Sequence, residues 1–127
     1  MAVAVDLAKA FDSINHVFLL AKLKAYGLSQ SAMSLMSSYI LGRKQRVCLH
    51  GVCSRYSELR AGLPQGSLLG PLLFNIFIND LNYAVPDESL RLYADNTTLY
   101  ASDVSPIAPQ FVVNRGLSRL SEWFDAN

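Results

Sequence analysis

Charge is scarce in this chain. Eleven Lys+Arg and ten Asp+Glu among 127 residues make up only 17% of the sequence and leave a formal charge of +1. Without an excess of cations there is no general electrostatic grip on nucleic acid, so any such role rests on local placement. Cysteine is equally sparse. Cys48 and Cys53 make no disulfide framework, and a CxxxxC spacing without a second pair suits no common metal site. The expectation is a reduced thiol pair in an intracellular protein. Long apolar runs are missing too. The uncharged stretch from Gly62 to Asn79 is interrupted by Pro64, Gln65, Ser67, Pro71 and Asn75. A membrane span needs about 18 or more consecutive apolar residues, so this stretch is read as core, with no membrane partner. The first residues, Met1 to Asp6, lack the basic segment and long apolar stretch of a secretory signal.

What is present is a core. Apolar residues form 51% of the sequence and the mean hydropathy is +0.22, which excludes disorder as the main state. A chain of this length buries roughly two thirds of its unfolded surface, and the expectation is one compact domain over residues 1–127. Val3 to Leu7 reads as a buried strand ending at Asp6. Asp12 or Ser13 is the expected cap of a helix running to Gly27, and Ser29 or Ser31 caps a second that stops at Gly42. From Gln45 to Leu59 the apolar period changes to two around His50-Gly51, a hairpin signal. A turn-rich loop, Gly62 to Gly66, precedes a nearly all-apolar helix from Leu68 or Pro71 to about Leu81, expected to be buried on several sides. Leu90–Tyr93 and Thr97–Ala101 read as paired strands, and Val112–Phe124 as an amphipathic helix. The order β-α-α-β-β-α-β-β-α defines an α+β fold, with helices on one face of a mainly antiparallel sheet.

With so few acids, their positions carry information. Asp6 ends one apolar strand and Asp95 interrupts another. A carboxylate at such a place is poorly solvated unless paired or metal-bound. If the first strand lies beside the late hairpin, Asp6 and Asp95 converge. Two converging carboxylates are hard oxygen ligands suited to a pair of Mg²⁺ ions that keep positions open for phosphates. The plainer alternative is that both are turn residues satisfied by nearby backbone N–H groups.

Three segments read together narrow the choice. Val5-Asp6-Leu7-Ala8-Lys9-Ala10-Phe11-Asp12-Ser13-Ile14-Asn15-His16 resembles the first palm motif of reverse transcriptases. Gly62-Leu63-Pro64-Gln65-Gly66-Ser67-Leu68-Leu69-Gly70-Pro71-Leu72-Leu73-Phe74 resembles the second, and Leu92-Tyr93-Ala94-Asp95-Asn96-Thr97-Thr98-Leu99-Tyr100 the third. The likeness is to retrotransposons without long terminal repeats, of the LINE or jockey-like kind, and it extends through the tail from Leu117 to Asn127. It implies an RNA-directed DNA polymerase, a nucleotidyltransferase with a palm-like sheet, two Mg²⁺, an RNA template, a DNA primer and deoxynucleoside triphosphates, working in the nucleus or cytoplasm. By the same resemblance Asp6 and Asp95 bind the ions and Leu7 lends a carbonyl. Phe11 lies under the deoxyribose, Gln65 and Gly66 flank the templating base and incoming nucleotide, and Tyr93 supports the primer end. On the residues alone, Phe11 is plain core packing, Pro64-Gln65-Gly66 a turn, and Asp12 a helix cap. Lys9, Lys22, Lys24, Arg43, Lys44 and Arg46 could reach phosphates but read mostly as solvated surface. His16 and His50 offer no clear partner.

Two departures from the family pattern qualify what the resemblance implies. The family turn is Tyr-Ala-Asp-Asp, and here Asn96 takes the last place. An amide of the same shape is neutral, so the catalytic set Asp6, Asp95 and Asn96 carries one charge fewer toward two divalent ions, and severe impairment is expected. The match also begins at the first palm motif and ends just after the third. Fingers preceding Met1 and a thumb following Asn127 are the expected intramolecular partners, which makes this a partial domain. Two readings follow: a Mg²⁺-dependent polymerase palm, or a catalytically dead relic or nucleic-acid-binding palm fragment. A small base-stacking module without polymerase ancestry fits poorly, because the residues at the sheet ends are acidic.

Overall fold

The computed structural model describes residues 1–85, 89–93, 96–102 and 108–127. Among the described residues five helices and seven strands follow in the order β1, α1, α2, β2, β3, β4, β5, α3, α4, β6, β7, α5. All strand pairs are antiparallel, so the α+β class expected from the sequence holds. The chain divides into two compact units, one made of Met1–Ala10 with Phe77–Asn127 and the other of Phe11–Ile76.

The first unit is built on a three-stranded sheet of order β1-β7-β6, comprising β1 (Ala2–Asp6), β6 (Ser89–Tyr93) and β7 (Asn96–Tyr100). β7 is central. Side chains alternate across a strand, and accordingly Thr97 and Leu99 are fully buried while Asn96 is exposed. Their partners on β1 are Val5 and Val3. β1 is therefore an edge strand with only one face covered, not the strand buried on both sides that its apolar run suggests. Helix α5 (Ala108–Ala126) packs on β7 and on the short helix α4 (Leu81–Ala84). It buries Pro109, Val113, Gly116 and Leu120, spaced by four, three and four, which is one helical face. Phe77 meets Trp123 edge-to-face at 6.0 Å, and Leu81 and Val85 complete the apolar centre.

The second unit begins with α1 (His16–Ala25) and α2 (Gln30–Ile40), packed together. The cap of α1 is Asn15, whose side chain accepts from Val17 N at 2.9 Å and Phe18 N at 3.3 Å. Asp12 and Ser13, the expected caps, lie too early, because the chain first runs as a turn and then an isolated β-bridge at Asn15. Ser29 caps α2 as expected. Basic Lys22 and Lys24 in the last turn of α1 complement its negative dipole end. Helix α3 (Leu69–Ile78) stops before Leu81, and α4 continues separately. It buries residues 70, 73, 74, 77 and 78, a single stripe. Its opposite side, with Pro71, Leu72 and Asn75, is exposed. Burial on several sides is thus not what its composition produces, and Leu68, just before it, is 98% exposed.

The expected hairpin is a narrow ribbon of four two-residue strands, β2 (Lys44–Gln45), β3 (Cys48–Leu49), β4 (Val52–Cys53) and β5 (Ser57–Glu58). His50 and Gly51 at its tip both have positive φ, 49° and 81°, as a type I′ turn requires. That turn sets Cys48 and Cys53 directly opposite each other, and they are joined by a disulfide. The expectation of two reduced thiols is corrected here. A compartment rule says nothing about local register, and i, i+5 across a two-residue turn is a cross-strand pair. Below the disulfide Val47 N–H donates to Ser54 Oγ, and Ser54 N–H donates to Val47 O. Between this pair and Gln45↔Ser57 one residue, Arg46, opposes two, Arg55 and Tyr56, which is a bulge.

Two outcomes test this packing. Among the described residues Thr97 Oγ1 is buried with no hydrogen-bond partner, and an orphaned buried hydroxyl costs about 1–3 kcal/mol. Thr97→Val, nearly the same shape, is expected to raise unfolding stability by about 1 kcal/mol in urea titrations. Closing a loop as short as Cys48–Cys53 stabilises the ribbon by about 2 kcal/mol in the chain-entropy picture. Reduction should accelerate amide exchange at Val47 and Ser54 by up to about thirtyfold and leave that of Leu99 unchanged.

Candidate functional site

The end of the three-stranded sheet gathers the first set of residues. Asp6 is the Cα partner of Asn96 across β1–β7, and Tyr93 is the partner of Asn96 across β6–β7. Neighbouring strands lie about 4.8 Å apart, and directly opposed residues share a face. Asp6 and Asn96 are both exposed, so the carboxylate is not starved of solvent, contrary to the expectation from its apolar strand. The strand pleat leaves the last residue of β1 at the open end of the sheet. Asp95, the other carboxylate of the expected pair, lies outside the described residues.

The backbone turns sharply after Asp6. Ala10 N–H donates to Leu7 O at 3.2 Å, and Lys9 has φ of 57°, the positive value that the third position of a type II turn takes. A lysine with its backbone left-handed is uncommon. Leu7 O already accepts one hydrogen bond and keeps a second lone pair.

In the second unit, the segments carrying the first and second motifs are clamped together. Gly62 N–H donates to Ile14 O at 2.8 Å, and Leu63 N–H donates to Phe11 O at 2.9 Å. Asn15 bridges to Ala61. His16, 4% exposed, donates from Nε2 to Gly62 O at 2.8 Å, so this histidine has a backbone partner that its sequence context concealed. Gly62 has φ of +85°, and a Cβ there would come within 2.8 Å of Asp12 O and 2.9 Å of Asp12 Cα. Only glycine meets both conditions.

Over this clamp Gln65 Nε2 donates to Asp12 Oδ1 at 3.1 Å. Asp12 is neither cap nor isolated; it holds the Gln65 amide by a charge-assisted bond. Gly66 has φ of +73° with nothing within 4 Å of where a Cβ would stand. Phe11 stacks on Phe74 at 4.5 Å between ring centroids, a half-buried ring resting on the buried face of α3. Phe11, Gln65 and Gly66, the residues expected from the motifs, lie at this clamp, and Gly62, Asp12 and His16 are the parts that fix them, which the sequence reading did not single out in that role. The left-handed Gly62 was the one available signal.

Asp6 and Asn96 supply a carboxylate and an amide oxygen, donors that fit a hard divalent cation in kind. Among the described residues no group of three His, Cys, Asp or Glu side chains forms a metal site, and no helix is long and apolar enough to cross a membrane. Asp6, Leu7, Tyr93 and Asn96 belong to the first unit, while Phe11, Gln65 and Gly66 belong to the second.

Residues 1–126 match the family described as Reverse transcriptase (RNA-dependent DNA polymerase). The chain belongs to this family. It is similar to the RNA-directed DNA polymerase from mobile element jockey of Drosophila funebris, with 33% identity over 95% of this chain and 13% of that protein. In Drosophila melanogaster it is similar to the probable RNA-directed DNA polymerases from transposon X-element, 35% identical over 78% of this chain and 10% of the relative, and from transposon BS, 32% identical over 96% and 13%. These relatives place it among the reverse transcriptases of jockey-like retrotransposons without long terminal repeats. The chain spans about an eighth of the length of the jockey and BS proteins.

Gly62→Ala tests the clamp. Left-handed strain of about 1–2 kcal/mol adds to the overpacking against Asp12, about 1–3 kcal/mol. Thermal unfolding should show a loss near 3 kcal/mol; an unchanged melting temperature would contradict the close approach.

Proposed function

We propose that this chain is the palm-like part of an RNA-directed DNA polymerase, a partial domain over residues 1–127 whose chemistry centres on Asp6 and Asp95. The observation carrying this reading is the β1–β7 register. It makes Asp6 the partner of Asn96, the residue that follows Asp95 in the third motif. Asp6, Asp95 and the Leu7 carbonyl are the proposed ligands of two Mg²⁺. Those ions, when bound, supply activation of a primer 3′-hydroxyl and neutralisation of the triphosphate and departing pyrophosphate.

The remaining residues bind and orient. Phe11, fixed on Phe74, is the proposed floor under the sugar of the incoming nucleotide, where a ribose 2′-hydroxyl collides. Gln65, its amide held by Asp12, lies against the template–nucleotide pair beside Gly66, and Tyr93 supports the primer end. Proposed partners are an RNA template, a DNA primer, deoxynucleoside triphosphates, and fingers and thumb segments of a longer protein. The proposed setting is intracellular, in the nucleus or cytoplasm, where an exposed bond such as Cys48–Cys53 is open to reduction.

Asn96 favours a second reading. Its neutral amide offers a metal pair one charge less than a carboxylate, and an inactive relic or nucleic-acid-binding fragment follows if that charge is required. Calorimetric Mg²⁺ titration together with RNA-templated primer extension separates the two. On the polymerase reading Asn96→Asp tightens Mg²⁺ binding by roughly tenfold, since affinity follows ligand charge. It also produces extension that Asp6→Ala abolishes. No extension in Asn96→Asp supports the relic, and an unchanged Mg²⁺ affinity removes the charge argument altogether.

A further inference from the structure

The near-neutral total charge conceals a separation. Five of the eleven cations but only one of the ten carboxylates lie between Arg43 and Arg60, so that segment is +4 and the rest of the chain −3. The segment is the ribbon β2–β5, and every residue from Lys44 to Glu58 is exposed. Antiparallel partners share a face. Lys44↔Glu58 and Cys48↔Cys53 therefore put Lys44, Glu58, Arg46, Tyr56 and the disulfide on one side. The contact between the Arg46 guanidinium and the Tyr56 ring, 4.8 Å to its centroid, agrees with that assignment. The other side carries Val47, Leu49 and Val52.

Glu58, the one acid, approaches Arg60 at 4.0 Å. Among the described residues no carboxylate pairs with Arg46 or Arg55. Arg55 is one of the two bulge residues opposite Arg46 and adjoins Tyr56, which is 63% exposed. A two-stranded ribbon is marginal in water. This one is held by a disulfide and a side-chain-to-backbone bond from Ser54, which fixes the spacing of its cations without any packing from the core.

We propose that the ribbon face formed by Lys44, Arg46, Arg55 and Tyr56 is a docking surface for the phosphodiester backbone of a nucleic acid strand. A polyanion is the partner whose charge complements an isolated +4 segment on an otherwise acidic chain. Tyr56, braced by Arg46, offers a ring face on which an unpaired base stacks. The choice of probe rests on the polymerase reading; the binding itself needs neither Asp6 nor Asp95.

Fluorescence anisotropy of the full chain, without divalent ions, tests it with a labelled 20-nucleotide RNA, the DNA of the same sequence, and their hybrid. The Arg46→Ala/Arg55→Ala variant should weaken binding about tenfold and reduce the slope of log K against log salt by about 2, roughly 1 for each phosphate left without its arginine. Tyr56→Ala should weaken the single strands more than the hybrid. Lys24→Ala, on the exposed last turn of α1, should bind as the parent chain does. The probe bound most tightly distinguishes an RNA from a DNA strand. The docking surface is overturned if the parent chain binds none of the three, or if the double arginine variant keeps the parent affinity and salt slope. Because this assay contains no divalent ions, such a failure is distinct from failure of the metal site.

Discussion

The pairing of β1 with β7 is the constraint from which the rest of the first unit follows. It joins segments about ninety or more residues apart in sequence, Ala2 with Tyr100 through Asp6 with Asn96. Bringing such distant ends together carries a loop-closure entropy cost that local propensity does not offset. What offsets it is burial of the Thr97 and Leu99 side of β7 in the unit that α5 completes. A shift by one residue would turn those side chains to water and move Asp6 away from Asn96. Core packing and the alignment of candidate metal ligands are therefore set by the same register. A site that depends on a buried pattern in this way needs no further device to fix the height of Asp6 along its strand.

The second unit solves a different problem, holding two loops in place without long strands. Here the work falls to three hydrogen bonds, from the Gly62 and Leu63 N–H groups to backbone carbonyls and from the buried His16 ring to Gly62 O. Loops are normally mobile because their backbone groups face water. Residues 11–16 and 61–66 instead satisfy one another, and Gly62 lets the two backbones touch. The exposed Gln65 amide then needs only Asp12 to acquire a direction. An exposed polar side chain on a rigid base is a suitable arrangement for reading a ligand, since little conformational freedom remains to be given up on binding.

Much of this was legible beforehand, and the misses have physical causes. Strand and helix types followed from periodicity, and the Ser29 cap and the tip of the ribbon from turn chemistry. The motif residues carried the family. The cap of α1 was misplaced because Asp12 and Ser13 are good caps intrinsically, yet Asp12 has a better partner in Gln65, fifty-three residues away. The burial of α3 was overestimated because composition does not say which side of an apolar helix is left uncovered; Leu68 and Leu72 face outward. The disulfide was missed under a rule about compartments although His50-Gly51 already implied that Cys48 faces Cys53. Long-range partners and exposed faces are tertiary facts, and one sequence carries them only where a turn or motif fixes the geometry.

The same limits explain why net charge was a poor guide. A value of +1 reads as indifference to polyanions only if charges are mixed, and here they are sorted. Among the described carboxylates Asp6 ends β1 and Glu122 and Asp125 lie on α5, whereas five of the eleven cations fall between Arg43 and Arg60. On the proposed readings a carboxylate site at the sheet end repels phosphates until divalent ions bind, and the basic ribbon attracts them without ions. In a polymerase these opposed requirements are complementary. Metal and nucleotide need a site free of fixed cations that would compete for the carboxylates, and the strand needs a hold that persists while metals exchange. Separating the two along the chain meets both requirements with few charged residues, and it leaves the apolar majority to form the cores.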